Sequence, residues 1–290
     1  MRMFRNWILM MCLFSFLAHA GEVVRVIKPK TLNDGSHGYF VELLQTALNK
    51  SAGQYGQASV LETSHLQQGR AFAQLEKNKS IDVFWAATSI EREQKYKAIH
   101  IPLLKGLLGY RVAIIHKNNQ AKFDQVKTLQ DLRKMTACQG AHWPDSDIME
   151  AAGLSVARNP VYESLFKQVN AGRCDYFPRG IHEIVPELKA RSHIYPQLMM
   201  YSGLIIHYPL PIYYFVSHDK QALHDRIYEG LKIMIADGSF NHILKTNPTT
   251  AHLFPVDNWI DNTTIVLRNP YLPDHQVLNN KALWITHHKH

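Results

Sequence analysis

The sequence predicts an α/β protein of two lobes, each a mainly parallel sheet flanked by helices. Three observations carry this. Strand-like apolar runs alternate with amphipathic helical runs, which implies right-handed β–α–β units. The alternation restarts once, near Gly109, giving two successive sets of units. The chain of 290 residues is long for one core and comfortable for two lobes of ordinary size.

In order, Val23 to Ile27 reads as a strand ended by Pro29, followed by a loop with Asn33, Asp34 and Gly35. A helix from about Tyr39 places Val41, Leu44 and Leu48 at helical spacing. A strand near Ala58 to Glu62, a helix from Gln68 to Glu76 and a strand from Ile81 to Ala86 complete the first set. The second set opens with Gly109 to His116. A short helix near Leu129, a strand from Lys134 to Cys138, a helix marked by Tyr162, Leu165, Phe166 and Val169, and a strand from Arg173 to Phe177 ended by Pro178 follow. Ile181, Ile184, Val185 and Leu188 mark another helix, and Pro211 to Ser217 another strand. Two helices, Gln221 to Ala236 and Ser239 to Thr246, are separated by the Asp237-Gly238 stop signal. The last forty-odd residues read as irregular.

The N-terminus carries an address. Arg2 and Arg5 precede an apolar run from Trp7 to Leu17, and Ala18-His19-Ala20 supplies small residues for cleavage before Gly21. The run is too short for a permanent membrane helix, and Leu9-Met10-Met11 before Cys12 makes a poor lipidation site. A signal peptide over 1–20 and a mature periplasmic protein are therefore expected. Hydrophobic content of 46% and charge of 19% are globular values. The net charge of +8 is spread along the chain rather than gathered into a run, which argues against a nucleic-acid partner. No phosphate loop, zinc spacing or nucleophile motif is present, so no cofactor and no metal are expected. The tail His287-His288-Lys289-His290 reads as a terminus rather than a metal site.

Ligands of open α/β folds bind beyond the carboxyl ends of the parallel strands. That rule selects Trp85 to Arg92, Gln139 to Asp145 and Phe177 to Gly180, three stretches that would face one another across a cleft. Trp85 and Trp143 fall at strand ends, where aromatic walls cover the apolar part of a small ligand, although ordinary packing explains each equally well. Gln68 and Arg70 open a helix on the cleft side of the first lobe.

Gly38-Tyr39-Phe40-Val41-Glu42-Leu43-Leu44, Asp82-Val83-Phe84-Trp85 with Thr88-Ser89-Ile90-Glu91-Arg92, Gly172-Arg173-Cys174-Asp175-Tyr176-Phe177 and Ala236-Asp237-Gly238-Ser239-Phe240 occur in this order and spacing. The chain thereby resembles periplasmic solute-binding proteins of the amino-acid-binding type (bacterial extracellular solute-binding protein family 3, type II periplasmic-binding-protein fold). The resemblance implies two lobes joined by two hinge strands and closing on a ligand. Carried onto this chain, lobe 1 takes 21–112 plus 218–290 and lobe 2 takes 113–217, with crossings near Tyr110 to Ala113 and Phe215 to His218. It also implies a monomer, a small-molecule ligand, and an inner-membrane ABC permease or a sensor receptor as partner.

The resemblance gives Arg92 the grip on a ligand carboxylate, which the planar guanidinium fork suits; a solvated Arg beside Glu91 and Glu93 is the alternative. Thr88 or Ser89 would add a hydroxyl. Gln139, His142 and Trp143 stand in the turn where relatives present backbone amides and a hydroxyl; that hydroxyl is missing here. After Phe177, where amino-acid binders place an acid for the α-ammonium, this chain has Pro178-Arg179-Gly180, with Glu183 the nearest carboxylate. Arg92 and Arg179 facing one cleft would favour an anion over a zwitterion. Cys138 and Cys174 fall on strands the fold makes neighbours; adjacent parallel strands rarely give disulfide geometry, so a disulfide is the less favoured alternative to buried free thiols. The expected function is capture of a small carboxylated solute, an amino acid or related organic anion, for ABC-type uptake. A sensor module, or a dehydratase using Glu183 or His142 as acid/base, is the alternative.

Overall fold

In the computed structural model, residues 21–29, 37–260, 263–274 and 279–285 are described. The expected signal peptide over 1–20, the Asn33-Asp34-Gly35 stretch and the histidine-rich tail lie outside them. The first lobe is built from β1 (Glu22–Val26), α1 (His37–Lys50), α2 (Ala52–Tyr55), β2 (Ala58–Glu62), α3 (Gln68–Glu76), β3 (Phe84–Ala87), α4 (Ile90–Lys95) and β4 (Lys97–Ile99). The second takes β5 (Tyr110–His116), α5 (Gln120–Asp124), α6 (Leu129–Leu132), β6 (Thr136–Gly140), α7 (Pro144–Ala151), β7 (Ser155–Asn159), α8 (Tyr162–Asn170), β8 (Tyr176–Gly180), α9 (Ile181–Arg191) and β9 (Leu198–His207). The chain then returns through β10 (Ile212–Val216), α10 (Gln221–Ala236), α11 (Ser239–Thr246), α12 (Asp257–Ile260) and β11 (Thr263–Val266).

β1 and β2 pair in parallel, and β10 runs antiparallel between β3 and β4. The Arg25 carbonyl accepts from Asp82 and Val83 N–H at 2.8 and 3.2 Å, so the two groups of strands adjoin. The other sheet has the order β11-β9-β5-β8-β6-β7. Its β–α–β units give the parallel pairs β6–β7 and β6–β8, while β5 runs antiparallel to β8 and β9. Antiparallel strands enter where the chain passes between lobes, because a strand that leaves one sheet and returns reverses its direction.

Local chemistry explains the elements. α1 buries Tyr39, Phe40, Leu43, Leu44, Ala47 and Leu48, a stripe at helical spacing. The Ser89 side chain caps α4 by accepting from Arg92 N–H at 3.2 Å, and Thr128 and Asp131 form a capping box on α6. Gly238, at φ +83°, makes the left-handed link between α10 and α11. Among the described residues, no helix is long and apolar enough to cross a membrane.

Several expectations are corrected. Phe215 lies inside β10 opposite Phe84 and Ala98, not at a crossing; the chain changes sheets between Ile99 and Tyr110 and again between His207 and Ile212. The strand expected at Arg173 to Phe177 is displaced to Tyr176–Gly180, because Asp175 turns inward to accept from Thr136 N–H at 2.8 Å. Pro178 therefore lies within β8 opposite Ala113. Pairing of β8 with β6 is confined to Tyr176 opposite Ala137, so on that side the missing N–H of proline removes no ladder bond. Cys174 precedes β8 instead of lying on it, which frees it from parallel-strand geometry. It forms a disulfide with Cys138 across a Cα–Cα distance of 5.6 Å. Residues 263–266, expected to be irregular and in the first lobe, form β11 on the open edge of β9.

Candidate functional site

The carboxyl ends of β3 and β6 and the end of β8 converge on a cleft between the sheets with about 560 Å³ of empty space, part of it open to solvent. From the first lobe it is lined by Phe40, Gln68, Trp85 and Ala87; from the second by Arg111, Trp143, Asp145, Arg179, His182 and Glu183. Trp85 stacks on Phe40 at 5.4 Å between ring centroids, and Trp143 stacks on Phe177 at 6.2 Å. These two indoles give the cleft an aromatic lining from each lobe. Gly140 makes the second possible: a Cβ there would lie 2.3 Å from the Trp143 ring, so only glycine lets the indole lie against the end of β6.

Charge in the cleft is paired. Arg179 on β8 is buried and grips Glu187 with two bonds of 2.7 Å, and its Nη2 also meets Glu183 at 2.7 Å. Its guanidinium lies 4.9 Å from the Trp143 and Phe177 ring centroids. Burial opposes this charge, yet Glu183 and Glu187 hold the guanidinium well above its ordinary value. Arg111 on β5, opposite Gly180, contacts Asp145 at 2.6 Å and Glu183 at 3.5 Å. Asp145, in the first turn of α7, also accepts from the Tyr208 hydroxyl at 2.6 Å. Glu183 accepts from Gly180 N–H at 2.9 Å. His182, two residues after Gly180, is 2% exposed, and burial pushes its imidazole down to about 4, so it is neutral at physiological pH.

The expected site residues fall into three groups. Gln68, Trp85, Trp143 and Arg179 line the main cleft, and Gln68, His142 and Trp143 line an adjoining hollow. Arg92 lines neither cavity but bonds to residues that do. Its guanidinium donates to the Ala87 carbonyl, to Gln68 Oε1 at 2.5 Å and, across the cleft, to the His142 carbonyl at 2.7 Å. Burial lowers Arg92 to about 10, which leaves it charged at neutral pH. The remaining residues lie elsewhere. Thr88 is buried and donates to Glu93 at 2.5 Å, Ser89 caps α4, and Gln139 and Phe177 are buried behind the wall. Arg70 is exposed on α3 and lines neither cavity.

The anion-attracting pair expected from Arg92 and Arg179 is corrected: Arg179 is neutralised by carboxylates one and two turns along α9. Arg111, His182 and Glu187 were not singled out by sequence, and Asp145 only as the end of the stretch Gln139 to Asp145. Arg111 had a signal, since a guanidinium within the apolar strand Tyr110–His116 needs a buried partner.

No family model matches the sequence, and no curated protein does. Solved structures do match in shape. An ancestral arginine-binding protein bound to arginine has a TM-score of 0.58 at 15% identity, covering 79% of this chain and 100% of that one. The substrate-binding protein of an amino acid ABC transporter gives 0.52 at 12% identity, covering 83% and 100%. A histidine kinase sensor domain with similarity to periplasmic binding proteins gives 0.53 at 16%, covering 84% and 97%. With two sheets bridged by crossing segments and an aromatic, charge-paired cleft between them, the chain has the two-lobed type II fold of the periplasmic binding proteins.

Proposed function

We propose that this chain is an exported solute-binding protein that captures a small zwitterionic solute of amino-acid type between its lobes and presents it to an inner-membrane ABC permease. The observation that carries the proposal is charge balance. Arg92, Arg111 and Arg179 are matched by Asp145, Glu183 and Glu187, so the aromatic-walled cleft has no net charge to draw in a polycarboxylate. A zwitterion brings both signs and no net charge. Main-chain carbonyl oxygens fill the Arg92 fork in this arrangement, where a solute carboxylate would replace them. Glu183 and the indole faces are the groups an ammonium would meet. Export is supported by the basic start and apolar run ahead of Gly21 and by the Cys138–Cys174 disulfide, a bond of oxidising compartments.

The likeness to a sensor domain makes sensing a second use of the same capture, with a receptor in place of the permease. Conversion of the solute is not expected. Glu183 is engaged in ion pairs with Arg179 and Arg111 instead of being free to shuttle a proton. A thermal-shift panel on the mature chain tests the proposal. Amino acids raise the melting temperature by mass action and are recovered unchanged, while di- and tricarboxylates do not. A response confined to polycarboxylates, or recovery of a product, would overturn it. Arg92→Ala is expected to abolish the response.

A further inference from the structure

The segment after β11 passes between the lobes a third time. β11 lies on the edge of β9 in the second lobe, and Leu267 continues that contact by donating to the His207 carbonyl at 2.8 Å. The Asn269 side chain donates to the Pro209 carbonyl at 2.8 Å and accepts from Tyr271 N–H at 3.0 Å. The Tyr271 carbonyl then accepts at 2.9 Å from the N–H of Ile90, the first residue of α4 in the first lobe. The later crossing ends at the same turn, since the Pro211 carbonyl accepts from Thr88 N–H at 3.0 Å. Residues 267–271 therefore run beside residues 207–211 from one lobe to the other. Trp284 and Ile285 reach the earlier crossing. Ile285 N–H donates to the Lys105 carbonyl at 2.9 Å, and a Cβ on Gly106 would lie 2.4 Å from the Trp284 ring, so the indole rests on bare backbone.

The anchor on α4 links these contacts to the cleft. First-turn amides of a helix have no carbonyl partner within it, and Ile90 obtains one from Tyr271. Arg92, two residues on, donates to the His142 carbonyl of the second lobe. The helix that carries Arg92 is thus tied to the second lobe through a side chain and to the returning segment through its backbone. The four steps from Leu267 to Tyr271 span at most about 14 Å, so α4 stays close to the end of β9 while both anchors hold. We infer that residues 267–271, with Trp284 and Ile285, form a brace across both crossings that fixes the angle between the lobes and positions α4. Asn269 and Tyr271 are its positioning residues. This role does not depend on which solute binds.

Spin labels at Ala73→Cys in α3 and Lys167→Cys in α8 read the distance between lobes. Both positions are exposed, and these helices line opposite sides of the hollow that adjoins the cleft. Cys138 and Cys174 are bonded to each other and take no label. Pulsed electron–electron resonance on the mature chain is expected to give one narrow distance distribution. A chain stopped after Arg268 is expected to give a broader one, shifted by more than about 2 Å. A broad distribution in the full mature chain, or one unchanged by the stop, overturns the brace. Where the shortened chain does not fold, amide exchange in the full mature chain decides. Ile90 N–H is expected to be protected there and to exchange at least about 10-fold faster in Asn269→Ala. An Ile90 amide that is unprotected, or that exchanges equally in both chains, overturns the brace as well.

Discussion

His182 shows how burial sets chemistry at a single residue. Burial, with the positive neighbours Arg111, Arg179 and His252, lowers its imidazole to about 4, and Glu183 acts in the opposite direction. The unfolded chain keeps the ordinary 6.5. Between these values the unfolded state binds a proton that the native state refuses. Stability is therefore full above pH 6.5, falls as the pH drops toward 4 and levels off below it. Urea melts at pH 7 and pH 4.5 should show wild type losing about 2 kcal/mol more than His182→Phe. Equal losses would mean that His182 titrates normally. Nothing in sequence announces this, because His182 is one of 17 histidines and its depressed value comes first from burial that only the fold creates. The same limit misled the reading of Arg179. Its register beside Gly180 was legible, but its partner Glu187 stands eight residues away on a helix whose facing direction only the fold reveals. Arg92 was selected by sequence because strand ends in α/β folds point toward the cleft. Its present partners, carbonyls of two lobes, were not.

At the scale of elements, long periodic helices were the easiest to read, and α10 and α11 match the expected Gln221–Ala236 and Ser239–Thr246. β9 was missed because Ser202-Gly203 interrupts its apolar run, and its pairing register with β5 shifts between Val112 and Ala113. α7 was missed because Pro144, Asp145 and Asp147 resemble a loop until they are seen as the first turn of a helix. Packing between elements leaves a different mark in sequence. Gly230 lies inside α10, where alanine normally improves a helix by about 1 kcal/mol. Here a Cβ would fall 2.0 Å from the Ala47 carbonyl oxygen, because α1 and α10 meet backbone to backbone. Gly230→Ala is expected to destabilise the chain by about 2 kcal/mol or more and to lower its melting temperature. A melting temperature unchanged or raised would show that the helices can separate without cost.

For the whole molecule, the two-lobed fold followed from the order of strand and helix signals and from the single restart near Gly109. The places of crossing did not, since Phe215 and Tyr110 belong to sheets on either side of them. At the later crossing the Gly109 and Tyr208 backbones touch: a Cβ on Gly109 would lie 2.3 Å from the Tyr208 carbonyl oxygen. The two connecting segments thus run side by side. Overall charge was the least informative quantity. The chain is basic by +8, yet the cleft is balanced, because side chains from β5, β8, α7 and α9 neutralise one another only once folded. Salt dependence distinguishes a balanced cleft from an attracting one, since screening weakens long-range attraction to net charge. The most direct test is calorimetric titration of the mature chain with glutamine and with a dicarboxylate, at low and at physiological ionic strength. A balanced cleft gives one-site binding of glutamine with a Kd that salt changes little, and no heat from the dicarboxylate. Tight dicarboxylate binding that weakens steeply with salt, with glutamine silent, would contradict it.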